Sequence, residues 1–293
     1  MQLQNIISEI EKADPEFYDK TDSRRSAMKN FAKFTGKVTL ASLPFALGAF
    51  FNKAYAGDPD KNTVIDILTF ALKLEYLESR FYLNGLAAPG LIPNDSYGSM
   101  GAFKQISAHE SEHVAFLKQT LTSLGATPIA EPAFDFTAHG TFPNPFANGN
   151  YPVFLAISQT FEDTGVRAYK GQAPNLIGAS SRPYLSAALR IHSVEARHAS
   201  RVRKLRRDSG SPTVTGSVKS WITLAQSGID TGSAAANAAV QKSYAGEDNT
   251  VQAGVNIVDI GGFGFINAAA ASESFDEPLT KDQVLGIVAP FFA

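Results

Sequence analysis

From about residue 60 to residue 210, apolar side chains recur at spacings of three, four and seven, the period of helices that bury one face. Four segments carry the pattern. The first runs from about Thr63 to Leu86, with Leu68, Leu72, Glu75 and Tyr82 on one stripe, and is expected to end where Gly85 and then Pro89 and Gly90 interrupt it. The second, from about Gly101 to Leu124, aligns Phe103, Ile106, Glu110, His113, Leu117 and Leu124. The third, from about Pro152 to Lys170, aligns Leu155, Glu162, Val166 and Tyr169, and Pro152 suits a first turn. The fourth, from about Pro183 to Asp208, aligns Ala188, Ile191, Glu195, His198, Val202 and Leu205.

The connections choose among arrangements of these helices. The first and second are joined by roughly fifteen residues and the third and fourth by about twelve, short enough for antiparallel neighbours. The link from Gly125 to Tyr151 is longer and rich in Pro and Phe, as a single crossover would be. The pattern therefore predicts an all-α chain: a four-helix bundle over residues 57–209 with a long crossover between helices two and three. Beyond Asp208 the composition turns to Gly, Ala, Ser and Asn. Residues 210–293 are expected to form a partly helical extension packing on the bundle, one helix being signalled by Thr280 and Gln283, a capping box ahead of Val284, Leu285, Ile287 and Val288. No chemistry is apparent in the extension.

Polar residues interrupt the apolar stripes twice in the same way. Glu75, with Tyr82 seven residues on, is followed by Glu110 and His113; Glu162, with Tyr169 seven residues on, is followed by Glu195 and His198. Three residues on a helix amount to about 300° of rotation and about 4.5 Å of rise, so a Glu and a His at i, i+3 point the same way. An ionised Glu on a buried stripe is costly without a positive partner. Salt bridges would satisfy any one of these positions, but six residues in register, twice over, point to metal ions. Two Glu-x-x-His pairs and one Glu from each of two other helices are the ligand set of ferritin-like dimetal-carboxylate proteins, which this chain resembles. Glu75, Glu110, His113, Glu162, Glu195 and His198 are the candidate ligands, and two Fe or two Mn ions the candidate cofactor.

The repeat also sorts the neighbours. Glu78 shares the face of Glu75, but its counterpart in the third helix is Gly165, so Glu75 is taken as the ligand. Glu78 is left as a carboxylate bonding around the site, an extra terminal ligand or a solvated residue. Tyr82 and Tyr169 are read as hydroxyls reaching the opposite helix's Glu, or else as ordinary core aromatics. His109 and His192 stand at unmatched offsets and are not read as ligands; Glu112 should face solvent.

Composition removes several alternatives. The chain of 293 residues has a net charge of -2 with 26 Lys+Arg scattered among 28 Asp+Glu, which gives no basic face for nucleic acid. It has no Cys, so disulfides, thiolate metal sites and thiol nucleophiles are excluded. Near the N-terminus, Ser23 to Lys29 (SRRSAMK) resembles a twin-arginine motif, an apolar stretch runs from Val38 to Phe51, and Ala54 and Ala56 precede Gly57 in a small-x-small cleavage pattern. Residues 1–56 are therefore expected to be an export signal, the mature chain being periplasmic or otherwise exported, with no permanent membrane span once the signal is removed.

Residues 74–82 (LEYLESRFY) and 109–113 (HESEH) are similar to the bacterial ferritin-like domain family that also includes plant desiccation-related proteins. Residues 244–250 (YAGEDNT), 276–280 (DEPLT) and 288–291 (VAPF) resemble that family's C-terminal segments. The resemblance implies redox chemistry on peroxide or O₂, either catalase-like disproportionation or Fe(II) oxidation; a homo-oligomer is compatible with it. A rubrerythrin-type route would need an outside electron donor, because no Cys is available for its iron domain. The alternative is a non-catalytic stress or desiccation-related envelope protein that keeps the bundle.

Overall fold

A computed structural model of the chain describes residues 59–260 and 266–293. The expected export signal, 1–56, lies outside them. Helices α1 (Lys61–Ala87), α2 (Ser99–Ser123), α3 (Tyr151–Gln172) and α4 (Arg182–Asp208) stand where the apolar stripes predict them. Asp60 caps α1 by accepting from the Thr63 amide at 2.8 Å, and Pro152 and Pro183 occupy first turns, where a missing N–H costs nothing. Gly85 does not break α1. It lies inside the helix because the Phe154 ring occupies the place of a side chain, 2.4 Å from where its Cβ would be.

Helices α1 and α2 pair as one hairpin and α3 and α4 as another. Tyr82, near the end of α1, reaches Glu162 in the middle of α3, while Tyr169, near the end of α3, reaches Glu75 in α1, so these two helices run antiparallel. Helix α2 is thus parallel to α3. The chain between Ser123 and Tyr151 must travel the length of the bundle, about 35–40 Å for helices of this size. Two apolar clusters fill the interior. Rings dominate one end, where Phe81, Phe103, Phe154 and Phe161 meet Phe136 and Phe142 of the crossover and Phe291 of the C-terminus. Aliphatic side chains dominate the other, with Leu68, Leu72, Leu117, Leu121 and Ile191 among them.

The extension contains α5 (Ala234–Gln241), a small hairpin of β1 (Val251–Gln252) and β2 (Val255–Asn256), α6 (Ala268–Ser272) and α7 (Lys281–Val288). The expected capping box between Thr280 and Gln283 opens α7. The extension grips α3 and α4 through buried polar groups. Asp163 accepts from Arg203 and, at 2.6 Å, from the Tyr244 hydroxyl, and Gln159 donates to that same hydroxyl at 3.0 Å. Arg167 donates to the carbonyls of Ser243, Ala245 and Glu277 and pairs with Glu247 at 2.7 Å. Arg206, fully buried, has no carboxylate partner among the described residues; it donates to Gln159 and to the carbonyls of Thr213 and Gly228. One close approach completes the grip: the Leu279 carbonyl oxygen lies 1.9 Å from where a Cβ on Gly171 would stand. No described helix is long and apolar enough to cross a membrane.

Gly171→Ala is expected to destabilise the fold by about 1–3 kcal/mol through overpacking against Leu279. Gly286→Ala, with open space around it, should stabilise by up to about 1 kcal/mol. Urea titrations showing both variants shifted in the same direction would refute this view of the α3 contact. Burial pushes the Glu247 carboxyl up to about 7 against the pull of Arg167. The folded chain then keeps a proton that the unfolded chain releases near pH 4.5, so this group's contribution falls as pH rises from about 4.5 to 7. Glu247→Gln should flatten that part of the pH dependence of the melting temperature.

Candidate metal centre

The six residues singled out by the repeat converge in the middle of the bundle, one from each of α1 and α3 and two from each of α2 and α4. Glu75, Glu110, His113 and Glu195 form one group; Glu110, Glu162, Glu195 and His198 form another; within each group one ligand atom per residue lies within 4.8 Å of the others. Glu110 and Glu195 belong to both. Each histidine turns Nδ1 inward: His113 Nδ1 lies 3.1 Å from Glu75, 3.2 Å from Glu110 and 3.3 Å from Glu195. His198 Nδ1 lies 2.8 Å from Glu110, 3.3 Å from Glu162 and 3.9 Å from Glu195.

All four carboxylates are fully buried. Burial and the neighbouring Glu110 charge raise Glu75 to about 7, and burial with the Glu110 charge holds Glu195 well above the carboxylate range. Glu110 moves the other way: burial opposes its charge, but contacts from His113 and His198 pull it down to about 2. Burial disfavours the charged imidazoles as well, yet carboxylates hold His198 up to about 11 and raise His113 further.

Residue 162 accepts a hydrogen bond from Tyr82, and Glu75 one from Tyr169, so each hydroxyl crosses to the other hairpin's lone carboxylate. Burial and these carboxylates keep both phenols far above their usual range, so each remains a donor. Glu78 is 4% exposed, which removes the solvated alternative for it. Its carboxylate enters the space left by Gly165: a Cβ there would stand 3.2 Å from Glu78 Oε1 and 3.4 Å from Glu195 Oε2. Burial and the four surrounding carboxylates raise Glu78 well above its ordinary value.

His109 has a place that its sequence offset did not suggest. Its Nδ1 lies 2.9 Å from Nε2 of His198, the rings stack at 5.2 Å, and its Nε2 lies 2.6 Å from the Gln105 carboxamide. The contact holds the His198 ring in place with its Nδ1 turned to the carboxylates. His192 instead meets the Val166 carbonyl at 2.9 Å, and Glu112 faces solvent. Neither His109 nor His192 falls in the ligand groups.

The arrangement fits metal ions by one further observation. Glu110 Oε1, Glu162 Oε2, both Glu195 oxygens and Nδ1 of His198 are buried without a hydrogen-bond partner of acceptable geometry. Buried polar atoms are rarely left so, and these converge. Residues 63–208, the span of the four helices, match the ferritin-like domain family. Over this stretch the chain is a member of that family. The ferritin-like domain accounts for the bundle, the crossover and the buried Glu/His cluster, which is compatible with a dimetal site. No curated protein matches the chain.

Gly165→Ala should press on Glu78 and Glu195 and weaken Fe(II) or Mn(II) binding by about tenfold or more while helical content stays unchanged. Calorimetric titration of metal into the ferritin-like domain, with circular dichroism as the control for folding, measures both.

Proposed function

We propose that the chain is an exported dimetal-carboxylate protein whose two Fe or Mn ions perform redox chemistry on O₂ or peroxide. One observation carries the reading: two ligand groups that share Glu110 and Glu195, buried in the bundle, with several ligand atoms unpartnered. Glu75, Glu110, His113 and Glu195 would hold one ion and Glu110, Glu162, Glu195 and His198 the other, and carboxylate and imidazole ligands suit Fe and Mn. Two such ions would supply Lewis acidity and one-electron redox chemistry.

The protein's own residues do the rest. Tyr82 and Tyr169 orient the terminal carboxylates, His109 orients His198, and the apolar layers on either side exclude bulk water. With Glu78 kept protonated by burial and its neighbours, the four remaining carboxylates would match the charge of two divalent ions. Export is supported by the twin-arginine-type segment around Arg24 and Arg25. Such export carries folded proteins, which suits metal loading beforehand.

Elemental analysis of purified protein is expected to find about two Fe or Mn per chain, and Glu110→Ala, which removes a shared ligand, to lose most of it. A content below about one and a half per chain that Glu110→Ala leaves unchanged would sink the proposal. Chelation should lower the melting temperature of the wild-type chain and leave Glu110→Ala unmoved. Oxygen evolution from peroxide and Fe(II) oxidation assays then separate the two chemistries, and a loaded protein inert in both is a structural member of the family.

A further inference from the structure

The two ends of the bundle differ although the ligands repeat. Beyond Tyr82 the interior is sealed by rings: Tyr82 stacks on Phe103 at 5.8 Å, Phe103 meets Phe154 at 4.9 Å, and Phe81 stacks on Phe154 at 4.8 Å. Beyond Tyr169, the counterpart of Tyr82, there is a cavity of about 20 Å³ lined by all four helices. Leu117 in its wall lies one turn past His113, Ile191 one turn before Glu195, and Ala71 one turn before Glu75. The cavity therefore sits on the bundle axis about 5 Å from the ligand layer.

Its wall is apolar, with Leu68, Ala71, Leu117, Ala188 and Ile191 prominent. The polar side chains that touch it are mostly committed elsewhere: Tyr169 to Glu75, Thr120 to the Phe116 carbonyl at 2.8 Å, and Gln172 to Asn175. Phe116, Thr120, Tyr184, Ala187 and Ile191 line both this cavity and an open groove on the surface between α2 and α4. A void of about 10–15 Å³ holds one water-sized molecule, and voids walled by aliphatic groups stay dry. The cavity has room for a small apolar molecule. Peroxide would lose most of the hydrogen bonds of its two hydroxyls there, because the wall is almost wholly apolar. An apolar diatomic molecule loses nothing comparable.

We propose that this cavity is the entry site for dioxygen, which passes from the groove at Phe116 and Tyr184 through the void to the Glu75 side of the centre. The inference rests on the dimetal reading and chooses its small-molecule partner: O₂ rather than peroxide. The rim residue Ile191 and the wall residues Ala71 and Ala188 then set the rate at which O₂ arrives.

Crystals of the full chain pressurised with xenon test the cavity without reference to activity. A xenon atom is expected between Leu68, Leu117 and Ile191, lost in Ala188→Val and in Ala71→Val, and of higher occupancy in Ile191→Val. In stopped flow, the O₂ concentration giving half-maximal oxidation of the Fe(II)-loaded protein should rise at least threefold in the two filled variants. Metal content and the rate of oxidation by peroxide should stay within twofold of wild type. Absence of xenon from the wild-type cavity overturns the proposal, as does an O₂ dependence that survives loss of the xenon site. Xenon in the cavity of a chain that holds no metal overturns the delivery role together with the dimetal reading, whereas a metal-loaded chain without xenon overturns the entry site alone.

Discussion

Four buried carboxylates in two overlapping groups, the ligand atoms of each within 4.8 Å of one another, are the constraint to which the rest of the fold answers. At roughly 5 Å and an effective dielectric constant near 20, each ionised pair repels by about 3 kcal/mol, before the larger cost of removing each charge from water. His113 and His198 face these carboxylates, yet several carboxylate oxygens are left without partners. The helices that carry these groups must therefore be held together by something else. Close-packed apolar layers above and below the polar layer supply that, and so does the extension wrapped against α3 and α4.

The internal repeat is strict where charge is concerned and broken elsewhere. Glu75 and Glu162, Tyr82 and Tyr169, and the two Glu-His pairs correspond one to one. Glu78 has no counterpart, and Gly165 provides the space it occupies. His109 supports His198, while among the described residues no hydrogen bond is seen to Nε2 of His113. One end of the bundle is filled by rings and the other keeps a void. These departures make the two halves of the centre inequivalent, which a symmetric ligand list conceals.

Helix positions were legible because each stripe repeats over more than five turns, and three of the four helices open on Pro or an Asp cap. The convergence of the six residues was legible because Glu and His recur at i, i+3 on those stripes. Three features were not. His109 follows no repeat, since it lies about 100° around the helix from Glu110 and meets His198 only through the packing of α2 on α4. Gly85 looks like a helix breaker in sequence, and only the Phe154 ring explains it. The role of Tyr244 and Glu247 was hidden because their segment has no periodicity and their partners lie about eighty residues away in α3.

Those partners explain why α3 is buried on every side. Gln159, Asp163 and Arg167 are spaced by four, so they form a second, polar stripe on the helix, turned toward the extension. Glu162 and Asp163 are adjacent and therefore point about 100° apart, one into the metal layer and the other into the clasp. Asp163 is held by both Arg203 of α4 and Tyr244 of the extension, and that fixes the rotation of α3 about its own axis. The same grip fixes where Glu162 points. Arg203 ties this to α4, the helix that carries Glu195 and His198. Among the described residues the extension holds no candidate ligand, yet it sets the azimuth of three. The first hairpin has no such clasp among the described residues, and its Glu75 is oriented from across the bundle by Tyr169 of the helix that does.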